Sequence, residues 1–297
     1  MSGHLSDVAV RRLQMIGEVP DLSHTKYDLL EPLGHGGMGS VYVAHDRALD
    51  RHVALKVVAT FALSPEAVDR LEREARVLAR LEHPGIVPVH DVGVLPDGRA
   101  FYTMKLVRGR RLDAYLSTET TPAERLRILE RLCDAVSFAH ANGVVHRDLK
   151  PQNVMIGPFG EVLVMDWGVA TLTASPEARS VVGTPGFMAP EQARGEPTDE
   201  RSDVYALGGI MRLLIEPGSS KPLRAIAARA MANDPAQRYA AVAPLAADIA
   251  RFRAALPVEA YREGIIGRST RIGRKYAVPI ALVLAYLAMR VALLVVR

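Results

Sequence analysis

Leu33-Gly34-His35-Gly36-Gly37-Met38-Gly39-Ser40-Val41 is the stretch on which the fold turns. Gly34, Gly36 and Gly39 form a G-x-G-x-x-G array, where backbone amides can approach phosphate oxygens with no side chain in the way. A dinucleotide-binding fold needs a helix straight after such glycines. Here the run Val41-Tyr-Val-Ala44 follows, β-branched and aromatic, and it reads as a strand. The glycines therefore belong to a hairpin lid and not to a helix N-terminus.

Outward from the lid, His52-Val-Ala-Leu-Lys-Val-Val58 is a further strand of the same antiparallel sheet, and its alternation puts Lys56 on the side opposite Leu55. Taken alone, a strand lysine is usually a solvated edge charge. The next segment changes that weighting. Ser64-Pro65 is an N-cap followed by proline at the first helical position. Leu71, Ala75, Leu78 and Leu81 recur at helical spacing, and His83-Pro84-Gly85 stops the helix. Glu74 shares their apolar face. An unpaired buried carboxylate costs several kcal/mol, so a Lys56–Glu74 pair is expected, with the ammonium held beside the glycine lid.

The second half turns helical after Thr121-Pro122. Leu126, Leu129, Cys133, Val136 and His140 make one stripe; residues 144 to 165 read as two short strands around a loop. Val204, Leu207, Met211, Leu214 and Ile215 make a further helix with Ser202 as its cap, and Leu223, Ile226, Ala227, Ala230 and Met231 another. A β-rich segment with one helix before a helix-rich segment indicates a two-lobed α+β architecture. Within the second half lie His146-Arg-Asp-Leu-Lys-Pro-Gln-Asn153 and Asp166-Trp-Gly168. Asp148, Asn153 and Asp166 are hard oxygen donors of the kind Mg²⁺ takes together with phosphate oxygens. Singly, such residues in loops are usually turn formers; the ordered set is what carries meaning.

Composition narrows the classes. The chain has 297 residues, 49% hydrophobic and 24% charged, enough to bury a core. A net charge of +4 over this length gives little reason to expect a nucleic-acid partner. The single cysteine, Cys133, excludes a disulfide framework and a cysteine-built zinc site within one chain, and an intracellular setting is expected. No apolar run stands out between Met1 and Pro20, so no secretory signal is expected.

With glycine lid, lysine, helix glutamate, HRDLKPQN and DWG in this order, the sequence resembles the bacterial eukaryotic-like Ser/Thr protein kinases from about Tyr27 to Phe252. The resemblance implies a two-lobed protein-kinase fold with a β-rich N-lobe and a mainly helical C-lobe, and the cofactors ATP and Mg²⁺, with Mn²⁺ as an alternative ion. It implies Asp148 as catalytic base, Lys150 as the neutraliser of the transferred phosphoryl group and Thr184 beside them. Asn153 and Asp166 would hold the metal. Lys56, supported by Glu74, would bind the phosphates under a lid running from Leu33 through Gly34, His35, Gly36, Gly37, Met38 and Gly39. Val41 and Ala54 would cover the adenine, with Met104 as gatekeeper and Lys105, Leu106 and Val107 as hinge. Gly183-Thr-Pro-Gly-Phe-Met-Ala-Pro-Glu191 resembles the substrate-facing end of an activation segment. Glu191 should pair with Arg238, and Asp203 should brace the catalytic loop. Thr171, Thr173, Ser175 and Ser180 are the expected autophosphorylation sites, since Arg147 could receive such a phosphate. The lysine within HRDLKPQN favours Ser/Thr over Tyr in protein substrates.

Two departures stand out. Trp167 replaces the family's usual phenylalanine, and its stacking on Leu78 and His146 is expected. The region that the family calls αG is reduced, with only Ser219-Ser-Lys-Pro222 before the next helix. These departures are what a nucleotide-binding pseudokinase would have in its favour; a small-molecule phosphotransferase of related fold is the other alternative.

The expected organisation is an N-terminal extension over 1–26, a kinase domain over 27–255, a basic juxtamembrane segment over 256–276 and a transmembrane helix over 277–296. Eleven Leu, Ile and Val residues lie between Ala277 and Val296. At roughly −0.3 to −0.6 kcal/mol each they sum to about −3 to −7 kcal/mol, against at most about +3 for Arg290. The arginines before the helix place the kinase domain on the cytoplasmic side of a single-pass anchor.

Overall fold

The computed structural model describes residues 19–36, 39–58, 79–116, 120–167, 171–172, 183–215, 218–264 and 277–295. The first lobe is an antiparallel sheet of five strands: β1 Tyr27–Gly36, β2 Gly39–Asp46, β3 Arg51–Val58, β4 Val89–Val94 and β5 Ala100–Lys105, in the order β1-β2-β3-β5-β4. β1 and β2 pair from Tyr27↔Asp46 to Gly36↔Gly39, so the glycine array does close a hairpin. Gly39 has φ +135°, a conformation that side chains resist.

Alternation along β3 sorts the lobe into two faces. Val53, Leu55 and Val57 pack with Leu22, Tyr27 and Phe101 on one side. Ala54 packs with Tyr102, Met104 and Leu163 on the other, the side turned toward the second lobe. The last residues of the expected N-terminal extension join this lobe: Leu22 is buried.

The second lobe is helical around one large core. β6 Arg110–Arg111 leads into α1 Leu112–Tyr115, and α2 Pro122–Ala141 follows. Thr121 caps α2, its Oγ1 accepting the Glu124 N–H at 3.2 Å, with Pro122 in the first turn. The buried face of α2 is broader than the expected stripe. Ile128, Leu132, Ala135 and Ala139 join Leu129, Cys133, Val136 and His140, while Leu126 is only partly buried. The helix runs through the middle of the lobe, so one stripe does not suffice.

Between Val144 and Val164 stand three short strands where two were expected: β7 Val144–Val145, β8 Val154–Ile156 and β9 Val162–Val164. β6, β8 and β9 form a small sheet, and β7 pairs with β10 Thr171–Leu172. After the short helix α3 Pro190–Ala193, the helices α4 Glu200–Leu214, α5 Lys221–Ala230 and α6 Val242–Arg253 complete the core. Asp199, not Ser202, caps α4 by accepting the Arg201 N–H at 2.8 Å; Ser202 lies inside the helix and its hydroxyl donates back to the Asp199 carbonyl. Gly208 lets α5 approach α4 closely, because a Cβ there would stand 2.8 Å from the Ala230 Cβ. Lys221 and Pro222, read as connector, belong to α5; among the described residues no helix separates α4 from α5.

α7 covers Ala277–Val295, with Leu282, Val283, Leu287 and Val291 exposed. Among the described residues no helix is long and apolar enough to cross a membrane. The expected spanning segment is therefore not carried by the structure.

Candidate active site

The catalytic-loop geometry starts from a buried carboxylate on α4. Asp203 is fully enclosed and accepts the His146 N–H at 2.8 Å, the Arg147 N–H at 2.9 Å and the His140 ring nitrogen Nε2 at 2.8 Å. Burial would raise its carboxyl, but the hydrogen bond from His140 and the neighbouring donors outweigh that and hold it below the usual carboxylate range. The reward is a loop that can turn sharply. Arg147 sits in the left-handed region at φ +68°, and Asp166 does so at +61°. Such residues cost about 1–3 kcal/mol each and persist where surrounding contacts over-determine them.

Past this turn the expected side chains converge. The Lys150 ammonium donates to Asp148 Oδ2 at 2.7 Å and to Thr184 Oγ1 at 2.7 Å. The Thr184 hydroxyl donates to Asp148 Oδ1 at 2.9 Å. Asn153, from the short 3₁₀ turn Pro151–Asn153, donates through Nδ2 to the Asp148 carbonyl at 2.8 Å. A hydroxyl thus already sits within hydrogen-bond reach of the Asp148 carboxylate, with an ammonium beside both. A general base must meet that requirement for the proton it takes.

From the sheet side, Lys56 reaches across to Asp166 and forms an ion pair with its Oδ1. Burial would depress the ammonium; the Tyr102 hydroxyl and the Asp166 carboxylate outweigh it and hold Lys56 above its ordinary value. Tyr102 is the cross-strand neighbour of Lys56 and is itself buried. Glu74 lies outside the described residues, so the expected Lys56–Glu74 pair does too; Gly37, Met38 and Leu78 are likewise outside. Asn153 spends its amide nitrogen on Asp148, which leaves the Asn153 Oδ1 and the Asp166 carboxylate as hard oxygen donors. Two such donors suit a cation that completes its shell with phosphate oxygens and water. Among the described residues no cluster of three or more His, Cys, Asp or Glu could hold a metal by itself.

Trp167 is buried, and its ring lies 4.6 Å from that of His146. Its N–H donates to the Val164 carbonyl at 3.2 Å, so the larger residue finds its polar partner locally. Glu191 and Arg238, both buried, join through two hydrogen bonds of 2.7 Å. Thr173, Ser175 and Ser180 lie outside the described residues.

Val41, Ala54, Met104, Leu106 and Val107 meet in one apolar cluster beneath the hairpin, while Lys105 points to solvent. The sequence reading missed the other side of that cluster, which Met155, Leu163 and Met165 supply. The alternation of Val154-Met155-Ile156 is its one signal: Val154 and Ile156 enter the large core and Met155 faces the other way.

Residues 27–240 match the family described as the protein kinase domain. The Ser/Thr protein kinase PknB of Mycobacterium tuberculosis is 36% identical over 275 aligned residues, covering 79% of this chain and 44% of that protein. PknD of Chlamydia caviae is 33% identical, covering 75% and 31%. The chain spans less than half the length of these relatives. Among solved structures, the kinase domain of Mycobacterium tuberculosis PknI matches with a TM-score of 0.63 and 28% identity, over 76% of this chain and 96% of that one. A glycine hairpin above, a braced catalytic loop below and this match over most of the folded region lead to one conclusion: the chain belongs to the protein kinase family.

Proposed function

We propose that the protein transfers the ATP γ-phosphoryl group to Ser or Thr hydroxyls of proteins. The observation that carries this is the Asp148–Lys150–Thr184 constellation, a carboxylate and an ammonium sharing one hydroxyl. Asp148 accepts the proton of the attacking hydroxyl. Lys150 stabilises negative charge as it develops on the transferred oxygens. Lys56 holds the nucleotide phosphates, and the apolar cluster around Ala54, Met104 and Leu163 takes the base. Asn153 and Asp166 are the donors for Mg²⁺, which when bound neutralises phosphate charge. Catalysis is then mainly positioning and charge stabilisation.

Residues 27–255 form the kinase domain in this reading, and the activation segment carries autophosphorylation at Thr171, Thr173, Ser175 or Ser180. The composition of residues 277–296 supports a membrane anchor, with the kinase domain on the cytoplasmic side. One assay separates the readings: incubation with Mg²⁺ and γ-labelled ATP, with and without a generic basic protein. Label on serine or threonine of the protein, and added phosphate mass on the kinase, is the expected result. Nucleotide binding with no transfer would favour a pseudokinase, and label only on small molecules would favour a small-molecule phosphotransferase.

A further inference from the structure

Gln192 follows the clamped Glu191 on α3 and is almost completely buried. Its Nε2 donates to the backbone carbonyl of Arg147 at 2.5 Å. That carbonyl belongs to the peptide joining Arg147 to Asp148. The N–H of the same peptide is directed at His146 Nδ1, 3.3 Å away. The preceding peptide N–H, that of Arg147, is held by Asp203. The left-handed turn at Arg147 is therefore gripped from two elements: by Asp203 from α4 and by Gln192 from α3. Gln192 also borders the strand of chain that carries Thr184, since a Cβ on Gly183 would stand 3.2 Å from its Nε2. The Glu191–Arg238 pair fixes the helix from which it reaches.

We propose that Gln192 is a positioning residue for phosphoryl transfer. It sets the orientation of the Arg147–Asp148 peptide, and through it the aim of the Asp148 carboxylate at the acceptor hydroxyl. The inference rests on the kinase reading of Asp148. Misplacing a base without removing it lowers the chemical step and leaves nucleotide binding alone. A glutamine that merely filled space would affect stability instead.

The test uses the full chain and three proteins: wild type, Q192M and Q192E. Q192M keeps the length and removes the donor. About a tenfold fall in kcat is expected, with KM for ATP and the dissociation constant of a fluorescent ATP analogue within twofold of wild type. Q192E supplies a side chain that can donate to the Arg147 carbonyl only when protonated. Its kcat relative to wild type should therefore climb as pH falls from 8 to 6, whereas the Q192M ratio stays flat. Equal kcat for wild type and Q192M overturns the proposal, as does a Q192E ratio that does not change with pH. Should Q192M not fold, the Q192E profile decides alone. An inert wild type removes the kinase reading and this proposal with it; an active wild type with unaffected variants removes this proposal only.

Discussion

Asp203 shows how a single residue imposes the geometry of a site it does not enter. It collects two backbone N–H groups and a histidine, all within 2.9 Å, so its ionised form is stabilised by folding. Its folded pKa is depressed below the unfolded carboxylate value of about 3.9. The stabilisation is therefore complete above that value and is lost as pH falls through the lower folded one. Stability measured against pH in the acid limb should be steeper for wild type than for D203N. D203N should also unfold at a lower temperature at neutral pH, because an amide cannot accept all three donors. Identical acid limbs would mean that Asp203 is not the charged brace. The sequence pointed to Asp203 through family resemblance, and its partners follow the expectation. It did not point to Tyr102 beneath Lys56, because that neighbour exists only once β3 and β5 are in register.

At the scale of elements, the sequence is most legible where local chemistry decides. Thr121-Pro122 opens α2, and the glycine array closes a hairpin, because cap and turn preferences act over three or four residues. Ser202 shows the opposite. Asp199 and Ser202 both suit an N-cap; the chain begins α4 one turn earlier, where Asp199 meets the Arg201 N–H. The strand Val154–Ile156 is hard to read as a separate element because three residues are too few to set its alternation apart from the loop around it. Replacing the cap of the central helix has a defined consequence: T121A should destabilise the protein by about 1 kcal/mol. Chemical denaturation reads this as a lower midpoint with an unchanged slope. An unchanged midpoint would show that the Glu124 N–H finds an equivalent partner.

For the whole molecule, the five-stranded sheet and the helical lobe bring residues more than a hundred positions apart to one cleft, as the Lys56–Asp166 ion pair spans 110. Alternation in β3 gives Lys56 its face, but only the packing of one lobe on the other gives it Asp166. If residues 277–296 anchor the chain, carbonate-washed membranes should retain it, and deletion of 277–297 should release it; recovery of the intact chain in the soluble fraction would remove the anchor. Phosphoryl transfer with Asp148 as base is what the D148N variant puts to the test. General bases contribute on the order of 10²–10⁴ in rate. In the labelled-ATP assay, wild type should label a protein substrate while D148N, still binding nucleotide, falls at least about a hundredfold. Transfer by D148N at the wild-type rate would contradict it.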